Sequence, residues 1–176
     1  MPAKQKTVNI LGTLDGGDAL RILKALHGES AALASKIERL ALDRLRRVDR
    51  EDVAALVYLG LDALDVHVAW ERAGRSYDGY KEPEEAIMEM MEATLEPYQK
   101  DMRKRQINAL WDAAMDYCLG ILLGIRHFEE ESATEFRSWA GDVPGEMFTR
   151  VLAEFRKGQL DKPSREKFDA YLDEYL

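Results

Sequence analysis

One cysteine, Cys118, is all the thiol this chain holds, so no intrachain disulfide can form and a reducing compartment is expected. Long apolar runs are missing as well. None approaches the roughly 20 residues that a membrane helix needs, which excludes a spanning protein. The first residues, MPAKQKTVNILGTLDGG, contain two lysines but no apolar stretch of signal-peptide length. These absences together point to the cytoplasm. Positive charge is also short: 25 Lys and Arg stand against 33 Asp and Glu, a net charge of -8. Neutralising phosphates needs a net basic face, so nucleic acid is not the partner expected in general, although local basic turns remain. Strand alternation and Val/Ile/Thr enrichment are absent too, which excludes a sheet protein. There is no internal repeat and no complete catalytic, cofactor or metal signature.

What is present is helical periodicity. Ile107 to Phe128 reads INALWDAAMDYCLGILLGIRHF, apolar around most of a helix, with Gly120 and Gly124 one turn apart. A helix of that kind packs on several sides. The segment DVAALVYLGLDALDVHVAWERAG, capped by Asp49 and stopped at Gly74, has the same character. Fold class is therefore all-α: a single-domain bundle of five to seven helices, with two central apolar helices at about 50–73 and 97–130. At 176 residues the chain is long enough to bury a core as one domain.

The other elements surround these two. Residues 1–17 read as a flexible tail and 18–176 as the single helical domain. Asp18 is a candidate cap for an amphipathic segment in which Leu20, Leu23, Leu26, Leu33, Ile37 and Leu40 recur at helical spacing. Gly28 and Ser30 leave open whether that segment is one helix or two. A loop, RSYDGYKEP, precedes a helix opened by Pro83, and Pro97 either starts a fresh helix or kinks a continuing one. Residues 131–139 extend the preceding helix or form a short one of their own. Asp142 and Pro144 open a further helix that ends at Gly158, and a terminal helix holds Phe168, Tyr171 and Leu172.

Three groups of residues are candidates for function. The first is a set of carboxylates in the apolar helices: Asp62 with Asp65, and Asp112 with Asp116, each pair a turn or less apart. Packed antiparallel, the two helices would bring four carboxylates together, a donor set for a hard cation such as Mg²⁺ or Mn²⁺. The competing expectation is pairing with Arg103, Arg105 or Arg126. None of His27, His67 and His127 follows a Glu by three residues, so the di-iron bundle pattern is missing. Asp62-x-x-Asp65, Glu82-x-x-Glu85 and Glu89-x-x-Glu92 fall short of the paired acidic elements of all-α nucleotide pyrophosphohydrolases. The second group is a face of Glu85, Met88, Glu89, Met91 and Glu92, where flexible thioethers beside acids suit an adaptable interface. The third is the stripe Asp116, Gly120, Gly124 and His127, which lets a backbone approach closely, within the chain or across a dimer.

Arg21 and His27 have a spacing seen in one class of helical ribonucleases, Cys118 reads as a small core residue, and Trp70, Trp111 and Trp139 read as core or interface anchors. Arg44, Arg46, Arg47 and Arg50 form one basic turn, and Lys100, Arg103, Lys104 and Arg105 a second.

The expectation from these features is a helical protein–protein interaction, adaptor or regulatory protein without catalytic activity or cofactor, self-associating as a homo-oligomer and meeting another protein. The alternative is a divalent-metal-dependent hydrolase of a phosphorylated small molecule, with Asp62, Asp65, Asp112 and Asp116 as ligands.

Overall fold

The computed structural model describes residues 10–76, 79–158 and 162–175. The chain divides into two compact units, residues 1–44 and 45–176. The division therefore falls some 27 residues after the expected end of the tail. Of that tail, residues 1–9 lie outside the described residues. Ile10–Thr13 forms a 3-10 turn, and a helix already starts at Gly16.

The first unit is made of two helices, α1 (Gly16–Glu29) and α2 (Ala31–Arg46). Asp15, not Asp18, caps α1: its carboxylate accepts from the Asp18 amide at 2.8 Å, supplying an acceptor to an otherwise unsatisfied first-turn donor. Ser30 is extended and separates the helices, and its hydroxyl accepts from the Leu33 amide. The open question of one helix or two resolves as two. His27 Nε2 lies 3.1 Å from Glu38 Oε1, eleven residues on, farther along a straight helix than the two side chains reach, so the chain bends at Ser30. Neither helix buries a single residue.

The second unit holds the core. Asp49 opens α3 (Arg50–Asp62) by accepting from the Glu51 and Asp52 amides. The long helix expected over 50–73 is broken. It stops at Ala63 and restarts as α4 (Val66–Arg72), bent by 61°. Asp65 is the cause, since its side chain accepts from the His67 amide at 2.8 Å and so starts a new helix instead of continuing the old one. A small antiparallel hairpin follows where a loop was expected. Its strands are β1 (Gly74–Ser76) and β2 (Gly79–Lys81), with Arg75 opposite Tyr80. Gly74 has a φ of 97°, a conformation few side chains tolerate.

α5 (Pro83–Ile107) runs straight through Pro97, and α6 (Trp111–Glu131) follows after a break at residues 108–110. The central helix expected over 97–130 is thus the end of α5 plus α6. At the break Ala109 takes a φ of 54°, the Leu110 amide donates to the Arg105 carbonyl, and the Asn108 side chain donates to that of Lys104. Those bonds satisfy the last carbonyls of α5. α7 (Glu135–Ala140) is capped by Thr134, α8 (Val143–Arg156) carries Pro144 in its first turn, and α9 (Lys162–Tyr175) closes the described chain. Nine α-helices thus stand among the described residues. The all-α class holds, and the count exceeds five to seven in part because the helix expected over 50–73 is two, whereas the break at 108–110 is offset by the joining of the helices on either side of Pro97.

The core runs along α6. Cys118, Ile121, Leu122, Ile125 and Phe128 are sealed from solvent, against Val57 and Leu61 of α3, Met91, Leu95 and Met102 of α5, Phe155 of α8 and Phe168 of α9. Each such apolar side chain contributes roughly 1.5–3 kcal/mol by burial. α3 and α6 form the most extensive helix pair. No single helix among the described residues is long and apolar enough to cross a membrane.

Candidate functional site

The α3–α6 seam explains the glycine stripe. A Cβ on Gly120 would lie 2.7 Å from Val53 Cβ and 2.8 Å from the Arg50 carbonyl oxygen, and one on Gly124 would lie 2.6 Å from the Ala54 carbonyl oxygen. The glycines therefore let two backbones of one chain close upon each other, so this part of the stripe is spent inside the monomer. Asp116 extends the same seam. It accepts from Arg50 Nη2 at 2.8 Å, and the Arg50 guanidinium lies 5.1 Å from the centre of the Tyr171 ring. His127 is half-buried at the far end.

The four aspartates do not converge. Asp62 accepts from the Ser132 hydroxyl at 2.6 Å, and Asp65 caps α4. Asp112, exposed at the start of α6, accepts from Lys167 at 3.0 Å, while Asp116 pairs with Arg50. No three His, Cys, Asp or Glu side chains gather in a way that could hold a metal ion among the described residues. The reason is the break at 63–65: it turns Asp65 away from the α3 face and gives its carboxylate to a helix start. The arginine pairing expected as the competing outcome occurs at Asp116, though with Arg50 in place of Arg103, Arg105 or Arg126.

The acidic face of α5 divides. Met91 is fully buried in the core and is not part of any surface. Glu89 binds Lys81 of the hairpin at 2.7 Å, and Glu92 pairs with Arg150 of α8. Met88 is half-buried, with Arg150 Nη2 3.2 Å from its sulfur, and Glu85 is exposed. The basic turn of α5 is likewise engaged: Lys100 pairs with Glu96, Arg103 with Glu154 and Lys104 with Asp101. Arg105 is buried, donating to the Leu45 and Asp101 carbonyls, with its guanidinium 4.2 Å from the centre of the Tyr117 ring. Those carbonyls and the ring face meet the needs of a charge held away from water.

The remaining candidates separate in the same way. Arg21 binds Asp18 while His27 meets Glu38, so the ribonuclease-like pair has no common site. Cys118 is sealed in the core, and burial pushes its thiol far above the ordinary range, which makes it inert as a nucleophile. Trp111 packs partly against the core. Trp70 and Trp139 meet edge to face, 5.0 Å apart, with about half of each exposed. A shallow groove beside Trp139, lined by Glu82, Glu84, Ile87 and Asp142, brings no catalytic pairing with it.

What the residue pattern did not reveal is where apolar surface stays uncovered. Leu20, Ile22, Leu23 and Leu26 of α1 and Leu40 of α2 are exposed by 37–56%. They were legible as a helix stripe, and a stripe is ordinarily read as the face that a core will cover. On α3, Leu56 and Leu59 are also exposed. Comparison of the chain with known protein families, curated proteins and solved structures finds no match in any of the three.

Proposed function

We propose that this protein is a cytoplasmic helical interaction or regulatory protein that works without catalytic chemistry, by presenting helix faces to other proteins and by self-associating. The observation that carries the reading is the apolar stripe of α1. Within seven residues it exposes Leu20, Ile22, Leu23 and Leu26, and no residue of α1 or α2 is buried. Single exposed leucines are normal on a protein surface; a contiguous row on one helix face marks a contact surface. The outer face of α5 ranks second, reduced to Glu85 and the accessible part of Met88, because Glu89 and Glu92 are bound to cations of the same chain.

The alternative, hydrolysis of a phosphorylated small molecule with Mg²⁺ or Mn²⁺ on Asp62, Asp65, Asp112 and Asp116, draws no support from four carboxylates engaged at four separate places. One experiment decides between the two: thermal denaturation against divalent metals, nucleotides and sugar phosphates, with light scattering on the same sample. A specific ligand at a hundredfold its Kd adds about 2.7 kcal/mol and moves the midpoint by several degrees. The interaction reading expects no such shift and a scattering mass above the 20.1 kDa of one chain. It also expects Asp112→Asn to leave the midpoint nearly unchanged, since that exposed ion pair contributes little. A metal-dependent rise that disappears in Asp112→Asn would replace it with the hydrolase.

A further inference from the structure

We infer that the groove beside Trp139 takes an arginine side chain from an extended segment of a partner protein, its guanidinium against the indole and among the carboxylates of Glu82, Glu84 and Asp142. The inference rests on the interaction reading above and gives that partner a chemistry. Three observations lead to it.

The first is the tryptophan. α7 ends at Gly141, whose φ of 53° turns the chain directly into the start of α8. Trp139 is left 51% exposed there, while Phe136 and Ala140 of the same short helix are buried. A side chain of that size is ordinarily covered over most of its surface. Trp70 meets it edge to face, with ring centres 5.0 Å apart, and holds the ring in place. The indole therefore has little rotamer freedom left to lose on binding. The groove beside it has a volume of about 530 Å³, with Pro83, Ile87 and Ala140 among its apolar lining.

The second is charge. Glu82 and Asp142 stand at the N-cap positions of α5 and α8, yet neither side chain makes a capping hydrogen bond. With Glu84 they put three exposed carboxylates on the groove, none with a cationic partner among the described residues. Lys81, next in sequence, is drawn off by Glu89, and Arg150 of α8 by Glu92. The two helix N-termini supply about half a positive charge each, which offsets only about a third of the three negative ones. The groove stays anionic and selects a cation.

The third is shape. Asp142 also lines a second groove, about 470 Å³ in volume, which continues along α8 past Gly145 to Thr149. A Cβ added at Gly141 or Gly145 would meet open space, so nothing there obstructs an extended backbone. A cage for a free ammonium ion surrounds its guest with several aromatic faces, whereas Trp139 is the one aromatic residue lining this groove. Affinity has to accumulate along a chain instead. Arginine suits the contact better than lysine, because its planar, weakly hydrated guanidinium stacks on rings and meets carboxylates two bonds at a time.

Titration calorimetry of the full chain with an acetylated, amidated hexa-arginine peptide at low salt tests the inference. Binding is expected to weaken about tenfold in Trp139→Ala and to recover in part in Trp139→Phe. Glu82→Gln/Glu84→Gln/Asp142→Asn should weaken it by about tenfold or more. The control Glu51→Gln/Asp52→Asn/Asp112→Asn removes the same charge from residues outside the groove and should change it less than about twofold. Hexa-lysine should bind several times more weakly, and tetramethylammonium chloride more weakly still. Should Trp139→Ala fail to fold, the triple groove variant decides, since all three of its positions are exposed. No binding of hexa-arginine overturns the inference, as does binding that the groove variants leave intact. Equal loss in the control would show that the peptide senses net charge alone, and overturns it too. Tetramethylammonium bound as tightly as the peptide would replace the partner segment with a small organic cation. The interaction reading is judged separately, by the scattering mass, and survives each of these failures if self-association is seen.

Discussion

Gly124 shows how little freedom a single position has. Glycine in mid-helix costs roughly 1 kcal/mol against alanine, and on an open surface Gly124→Ala would be stabilising. Here the added methyl would meet the Ala54 carbonyl oxygen and Val57 Cβ, each at 2.6 Å, well inside contact distance, the first of them backbone of α3. The carbonyl cannot move without moving its helix. The expected outcome is a net loss of about 1–3 kcal/mol, the range for overpacking a tight core, read as a lowered urea midpoint. An unchanged or raised midpoint would mean that α3 and α6 can separate at no cost, and the reading of the glycine pair as a tight seam would fall. That seam was legible beforehand, because small residues one turn apart admit a close neighbour whatever the neighbour is. The fate of Asp116 was legible only as a choice between metal and arginine. Which arginine it meets depends on α3 lying along α6, and nothing in the spacing of either helix alone fixes that.

At the scale of elements, the helix starts were readable and the breaks were not. Asp49, Pro83 and Pro144 act on amides or dihedrals within a few residues, so their signals are local. The break at Asp65 is equally local in mechanism, yet an aspartate one turn after Asp62 can also sit inside a continuing helix, and the apolar pattern on both sides encouraged that reading. At 108–110 the usual sign of a stop was missing. Ala109 adopts the left-handed conformation that glycine or asparagine ordinarily supplies, and Ile107, which looked like part of the buried run, is 83% exposed. Pro97 presents the reverse case, a strong breaker inside an unbroken α5. Its ring removes one backbone hydrogen bond and crowds the preceding turn. Pro97→Ala is therefore expected to raise stability by about 1–2 kcal/mol after allowing for the greater freedom that alanine gives the unfolded chain, with an unchanged m-value in urea. A loss of stability would mean that α5 needs the proline to meet its neighbours α3, α4 and α8.

For the whole molecule, the division that matters lies between a unit that buries its apolar face and one that does not. Helical periodicity says which side of α1 and α2 is apolar. It carries no information on what that side meets. The physical consequence is a stability that cannot be uniform along the chain. Amides in α3 and α6 are held by side chains sealed at 0–7% exposure, so they open with the fold as a whole. Those of α1 and α2 have no buried side chain above them, and isolated helices of 14 and 16 residues are marginal in water. Their protection then has to come from whatever covers them. If that is a second copy, hydrogen exchange over residues 16–46 should slow as protein concentration rises from about 1 to 100 µM, because mass action fills the dimer. Exchange in residues 113–125 should stay the same across that range. Protection of α1 and α2 that is high at every concentration would locate their partner within the chain itself. Rapid exchange that persists at the highest concentration would leave the two helices uncovered by their own kind, reserving that face for a different protein.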